Sequence, residues 1–188
     1  MFQILKFLSS VFTAQHKSHN VVEFVLFLWH TEDLLRSLEL SEERVRQELI
    51  STQAVTEEDR DRLSEWYLKL LKEMKRDGLQ KSGHLEETEE ILSELFFLHD
   101  SLLDALKDAE YKKLWLSAEP HMKELQIKSK SLSINPIELI LTGLYGASVI
   151  RAQGKELSKE TEQAIATFSF LLNHLGRRYK EYKSGKMN

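Results

Sequence analysis

Four side chains capable of polar or aromatic chemistry lie close together in the pattern Trp29-x-x-Glu32-Asp33-x-x-Arg36. Glu32 lies four residues before Arg36 and Asp33 lies three before it, so a helix brings each carboxylate to the guanidinium. One hypothesis is a half-buried salt bridge that fixes helix packing, because ion pairs commonly perturb such groups without catalysis. The other is a polar pocket beside Trp29, in which one carboxylate is left for a ligand or a proton.

Further residues could line such a pocket, and each also has a structural explanation. They are Trp66, Tyr67, His84, Tyr145 and Arg151. Aromatic residues at helical spacing usually belong to the core, and a histidine can simply occupy the first turn of a helix. An arginine near the end of a helix interacts favourably with the helix dipole. The sequence assigns no catalytic role to any of these candidates.

Metal-binding patterns are incomplete. No glutamate is followed by a histidine three residues later, so the Glu-x-x-His pairs of ferritin-like di-metal sites are excluded. The fragments that remain are His16 with His19, His30 with Asp33, and His84 with Glu87. Two ligands do not complete a site, and we interpret the first pair as part of a surface linker. We therefore predict no metal and no cofactor.

Short motifs of known enzyme classes are also absent. The sequence contains no H-E-x-x-H, no phosphate-binding G-x-x-x-x-G-K-[ST], no G-x-G-x-x-G and no G-x-S-x-G. A Ser-His-Asp triad is assembled only in space, so the sequence leaves it open. The absence of cysteine excludes disulfides and thiolate chemistry. Whether the protein is an enzyme stays open, and the sequence favours a non-enzymatic role.

The elements that must position these side chains are helices. Among 188 residues there are only 2 Pro and 7 Gly, and neither period-two alternation nor a hairpin signal occurs. We predict an all-α, single-domain bundle of about seven helices around two buried apolar helices, at about 20–38 and 136–151. The net charge of −4, with both signs mixed, gives no general attraction to nucleic acid or anionic membranes.

The two central helices are predicted to be buried because they carry so little charge. The first is apolar over residues 21–29 apart from one glutamate, and the second has no charge from Leu139 to Ile150. Asn135 followed by proline is a strong helix start, and twelve apolar or small residues are too few to span a bilayer. Gly143 and Gly146 lack bulk and permit the close approach of another helix.

The two ends of the chain differ from the predicted helical domain at 16–183. Residues 1–15 are apolar with amphipathic spacing, and Lys6 interrupts what would be the core of a secretory signal. We expect an N-terminal arm or helix that packs on the domain or on a partner chain; a membrane-surface or export element is the alternative. Residues 184–188 are expected to form a short polar tail.

Several features in a fixed order carry a resemblance to a known family. They are Asn20, Phe24 and the Trp29–Arg36 pattern, the Trp66-Tyr67 pair, Gly78 followed by Gly83-His84, and Leu144-Tyr145-Gly146 with Arg151 downstream. In these features, which span roughly 14–182, the chain resembles a bacterial family of uncharacterised proteins, the domain of unknown function 4924. The resemblance implies a helical fold without an assigned activity, so no catalytic residue can be carried over. Residues 1–13 look like an addition to the family pattern, either a real arm or the product of a start codon placed too far upstream.

These observations favour an interaction, regulatory or structural module that is soluble, cytoplasmic and self-associating, with a homodimer as the favoured state. The extra apolar N-terminal segment, the many aromatic residues and the incomplete catalytic sets motivate this hypothesis. The alternative is a small-molecule-binding protein or enzyme that uses the pocket around Trp29, Glu32, Asp33 and Arg36. A second alternative is weak nucleic-acid contact through the basic C-terminal tail at 176–188, although nothing else in the chain forms a basic stripe. We expect no membrane partner.

Overall fold

Helices make up all the regular structure in the part of the chain that the computed structural model describes, residues 20–129 and 135–186. They are α1 (Val21–Ser37), α2 (three consecutive segments, Glu42–Arg44, Val45–Ile50 and Ser51–Gln53, the middle one π-helical), α3 (Glu57–Arg76), α4 (Glu86–Asp104), α5 (Ala109–Ser129), α6 (Pro136–Ala152) and α7 (Lys159–Lys183). No strand occurs in these residues, and the predicted all-α fold is confirmed. The expected arm at 1–15 and the pair His16 and His19 lie outside the described residues.

Local capping signals fix where several helices begin. The Thr56 hydroxyl accepts a hydrogen bond from the Asp59 amide at 3.1 Å, and the Asp59 carboxylate accepts one from the Thr56 amide at 3.3 Å. This reciprocal capping box satisfies two donors at the start of α3. The Asn135 side chain accepts the Ile137 amide at 3.0 Å, with proline at the first position of α6, so the predicted start of this helix is confirmed.

The described residues belong to two compact units. The first unit comprises Glu23–Glu89, and the second comprises residues 20–22, 90–129 and 135–186. A core of buried side chains from α1, α2, α3 and the residues that flank them holds the first unit together. Its members are Leu35, Leu38, Leu40, Val45, Leu49, Ile50, Tyr67, Leu70, Leu71, Met74 and Leu85.

In the second unit, α6 packs against both α5 and α7. A Cβ atom at Gly143 would lie 2.8 Å from the Leu125 side chain on α5 and 3.5 Å from the Phe168 ring on α7. Glycine therefore permits the close packing that the sequence predicted at this position. At Gly146 nothing lies within 4 Å of such an atom, so the second glycine has no such packing role.

Both helices predicted to be central contain buried apolar side chains. In α1 the buried residues include Val25, Leu28 and Leu35. In α6 they concentrate in the first half, at Ile137, Leu139, Ile140 and Leu141, and Ala147 is the one buried residue beyond them. None of the described helices combines the length and apolar character needed to cross a bilayer.

Candidate functional site

The candidate cluster of the first unit is built around the carboxylate of Glu32, which α1 holds fully buried at 0 % exposure. The ring nitrogen Nδ1 of His84 lies 2.6 Å from Oε2 of Glu32, and the backbone amide of Leu85 donates to Oε1 at 3.0 Å. Leu85 immediately precedes α4, so the carboxylate also meets the positive end of that helix dipole. Glu32 thus joins α1 to the beginning of α4.

Arg36 fastens the loop before α4 to α1. Its Nε donates to the Leu79 carbonyl oxygen at 3.0 Å, and its Nη2 donates to the carbonyl oxygen of Gly83. Its Nη1 bonds Asp33 at 2.7 Å, which confirms the expected local pair, while the nearest oxygen of Glu32 is 3.7 Å away. Two of these three hydrogen bonds of Arg36 therefore go to backbone carbonyls, which the sequence alone could not identify.

Gly83 shows why this loop needs a glycine. Its φ of +91° lies in the left-handed region, which side chains with a Cβ atom rarely adopt. A Cβ atom there would also lie 2.9 Å from the Leu79 side chain. The turn delivers His84 and Leu85 to Glu32 in consecutive positions, so the loop conformation is part of the site.

The aromatic candidates Trp29, Trp66 and Tyr67 belong to the same unit, and Trp29 contacts the network directly. The Trp29 indole stacks on the His84 ring with centroids 4.6 Å apart and planes 16° apart. Trp66 meets Tyr67 edge to face at 4.7 Å, and the Tyr67 hydroxyl donates to the side chain of Gln53 at 3.0 Å. Burial raises the pKa of Tyr67, so its hydroxyl stays protonated.

Only one of the two ring nitrogens of His84 is engaged. Nδ1 bonds Glu32, whereas Nε2 has no hydrogen-bond partner within the described part of the chain. The side chain is 27 % exposed, in contrast to the buried Glu32. The imidazole therefore links a closed polar interior to solvent.

Tyr145 and Arg151 are not placed in this cluster, because both belong to the second unit. Tyr145 is half-buried, and its carbonyl oxygen accepts a hydrogen bond from the Ser148 hydroxyl at 2.7 Å. Arg151 pairs with Glu162 at 2.5 Å. The structure thus brings together Trp29, Glu32, Asp33, Arg36 and His84 directly, with Trp66 and Tyr67 in the same unit.

A second polar network, in the second unit, was not foreseen from the sequence. The Asp108 carboxylate accepts the Tyr111 amide at 2.9 Å in the first turn of α5 and lies 3.1 Å from Nε2 of His174. Arg177 donates to the other ring nitrogen of His174 at 2.9 Å, and Arg178 lies 3.4 Å from Asp108. The sequence could have identified Asp108 as a helix cap, because Asp is common just before a helix. It could not reveal the contact with His174, which is 66 residues away in the chain.

Burial affects the pKa values of the ionisable side chains in and around this network. Burial raises the pKa of Tyr111 and lowers the pKa of His99, and the two side chains are hydrogen-bonded at 2.8 Å. Burial by itself would raise the pKa of Asp108, but the Tyr111 amide and His174 outweigh it and hold this pKa below its usual range. Asp108 is therefore ionised in the folded protein at neutral pH.

Metal coordination finds no support in the residues described. Within residues 20–129 and 135–186, no group of three or more histidine or acidic side chains is arranged to hold a metal ion. His30 is half-buried, and burial lowers its pKa despite the nearby charge of Asp33. The fragment His84 with Glu87 belongs to no such group among these residues, and Nδ1 of His84 faces Glu32.

Comparisons with known proteins give one match. The family model described as "Domain of unknown function (DUF4924)" matches residues 11–186. No curated protein and no solved structure matches the chain significantly.

Proposed function

We propose that the protein is an interaction module that pairs with a second copy of itself. The chain belongs to the family described as "Domain of unknown function (DUF4924)", and the proposal starts from that premise. The surface that we assign to this pairing lies on α4 and α5 of the second unit. The observation that supports it is a pair of large apolar side chains left in solvent, Phe97 on α4 and Leu116 on α5. They are 66 % and 55 % exposed.

Acidic residues flank Phe97. Glu90, Asp100 and Asp104 lie seven residues before, three after and seven after it, so on an α-helix they share its stripe. All three are exposed. Phe97 is therefore an apolar side chain in the middle of a negatively charged helix face.

Basic residues flank Leu116 in the corresponding way. Lys112 and Lys113 lie one turn before it and Lys123 lies two turns after it, and all three are exposed. Lys123 pairs within its own helix with Glu119 at 3.0 Å, which leaves the face with an excess of positive charge. Leu116 thus lies on a face whose charge is opposite to that around Phe97.

The two faces suit a symmetric dimer. In a two-fold interface the same patch serves on both copies, so α4 of one copy meets α5 of the other, and the reverse contact forms at the same time. Apolar side chains then supply contact area while opposite charges select the register and suppress wrong partners. Self-association needs no ligand and no catalytic group, in keeping with the incomplete motifs of the sequence.

The alternatives have less support. In the basic tail, Arg178 contacts Asp108 and Lys183 pairs with Glu94 at 2.7 Å, so these charges serve the second unit itself. A ligand held by a carboxylate of the Trp29–Arg36 cluster would compete with existing partners, because Glu32 bonds His84 and Leu85. Nucleic-acid contact would need those tail charges to be released.

Sedimentation equilibrium over the micromolar range tests the proposal. Phe97→Asp should weaken the dimer by at least about tenfold, because it places a charge at the centre of the patch. Val55→Asp is the matched control, since Val55 is 90 % exposed and lies in the first unit; this change should leave the dimer intact. A wild-type protein that stays monomeric at all concentrations would refute the proposal.

Charge reversal tests the orientation of the two copies. Lys113→Glu alone and Asp100→Lys alone should each weaken the dimer by placing like charges opposite each other. The double variant should recover most of the lost affinity, because the attraction is restored with its signs exchanged. Additive losses in the double variant would contradict the pairing of α4 with α5.

A further inference from the structure

We propose that His84 is the contact residue of a small-molecule site on the first unit, and that its Nε2 accepts a hydrogen bond from a hydroxyl group of the ligand. This site differs from the one that the sequence suggested. There a carboxylate was left for the ligand, whereas in the structure both oxygens of Glu32 already have partners. The atom that remains available is a nitrogen of the imidazole.

The hydrogen bond to Glu32 decides what Nε2 can do. A carboxylate accepts, so Nδ1 of His84 carries the proton that lies between them. In the neutral imidazole this leaves Nε2 as an acceptor with its lone pair directed away from the carboxylate. Such a nitrogen binds a donor group and rejects an ether or a second acceptor at the same position.

Arg36 lies beside the same carboxylate. Its guanidinium lies 3.7 Å from Oε2 of Glu32, the oxygen that His84 also contacts. The oxygen Oε2 thus has two partners within the protein, and a ligand meets this network through Nε2 of His84 and not through Glu32. Arg36 also contacts the carboxylate of Asp33 at 2.7 Å.

The ring is held in place before any ligand arrives. Stacking on Trp29 and the bond to Glu32 together fix its plane and its rotation. Preorganisation of this kind reduces the ordering cost of binding. The side chain is 27 % exposed, so solvent reaches part of it.

Thr88 adds an independent observation at the same helix start. It lies in the first turn of α4, is fully buried, and its hydroxyl has no hydrogen-bond partner among the residues described. Buried hydroxyls nearly always have a partner in folded proteins. The beginning of α4 therefore contains two polar groups, Nε2 of His84 and the Thr88 hydroxyl, whose bonding capacity the described chain does not use.

Phenol and its methyl ether, anisole, make a matched pair of probes, since they differ in the hydroxyl donor. Titration of the full-length protein followed by nuclear magnetic resonance should show phenol, but not anisole, shifting the ring signals of His84 and the indole signal of Trp29. His84→Ala should weaken phenol binding by at least about tenfold, whereas the control His121→Ala, in α5, should not. Equal effects of phenol and anisole, or phenol shifts that survive in His84→Ala, would overturn the proposal.

A loss of phenol binding in His84→Ala must be distinguished from unfolding, and the signals of Phe27 provide the check. Phe27 stacks on Trp66 at 5.3 Å in the same unit, and its signals should be unchanged in His84→Ala if the fold persists. If they change, the titration is repeated with His84→Gln, whose amide preserves a polar side chain. Phenol binding at wild-type strength in His84→Gln would also count against the site.

Discussion

Each unit contains a carboxylate–histidine pair beside the beginning of a helix, but the carboxylate comes from a different position relative to that helix. In each, a carboxylate at the beginning of a helix accepts a backbone amide and a histidine side chain: Glu32 with His84 before α4, and Asp108 with His174 at α5. Glu32 reaches across from α1, whereas Asp108 is the residue just before its own helix. The first arrangement ties separate elements together, while the second caps a helix and adds one distant contact.

The histidines show the consequence of that difference. His174 is buried at 5 % exposure and uses both ring nitrogens, one with Asp108 and one with Arg177. His84 is partly exposed and uses only Nδ1. A similar carboxylate–imidazole pair is therefore closed in the second unit and open on one side in the first. The comparison separates a structural histidine from one that can meet a ligand, which the sequence could not do.

The largest expected effect comes from removing the carboxylate of the first network. Glu32→Ala should lower the free energy of unfolding by about 3–5 kcal/mol, because it leaves buried donors from His84 and Leu85 without an acceptor. Asp33→Ala, next in the chain and 55 % exposed, should cost no more than about 1 kcal/mol. Urea denaturation of the two variants measures both values. Equal losses would mean that the buried network does not hold the unit together.

A smaller effect is expected in the second network, with a defined pH dependence. Asp108→Ala should cost about 1–2 kcal/mol at neutral pH, mainly from the lost helix cap. The pKa of Asp108 is lowered in the folded state, so the unfolded chain binds the proton more readily. The stabilisation is therefore present above the unfolded pKa, about 3.9, and is lost as pH falls through the folded value. The difference between the urea midpoints of wild type and variant should begin to shrink as the pH falls below about 4; a constant difference would contradict this assignment.

Much of the fold could be predicted from the sequence, because helix caps and apolar residues at helical spacing are local signals. The Asn135–Pro136 start and the pair of Asp33 with Arg36 lie within a few residues of each other, and both are confirmed. The start of α4 depends on contacts between residues that are distant in the sequence. This helix begins at Glu86, just after the turn at Gly83. The Leu85 amide, which precedes the helix, donates to Glu32, and these two residues are 53 positions apart in the sequence.

The candidate site could be predicted only in part for the same reason. Trp29, Glu32 and His84 were all candidates, and the structure joins them, yet the roles differ from those expected. His84, not Arg36, is the closest partner of Glu32, since the guanidinium is drawn to backbone carbonyls at Leu79 and Gly83. Backbone acceptors carry no sequence signature, so their competition for a side chain becomes visible only in three dimensions.

The protonation of the two histidines tests the central comparison most directly. Nitrogen-15 spectra of the imidazole rings report which nitrogen carries the proton in each residue. We expect His84 to be protonated on Nδ1, with a bare Nε2, and His174 to be protonated on Nε2, with Nδ1 accepting from Arg177. If the neutral forms of both rings show the same tautomer, or if the neutral ring of His84 carries its proton on Nε2, the distinction between the open and the closed network is wrong.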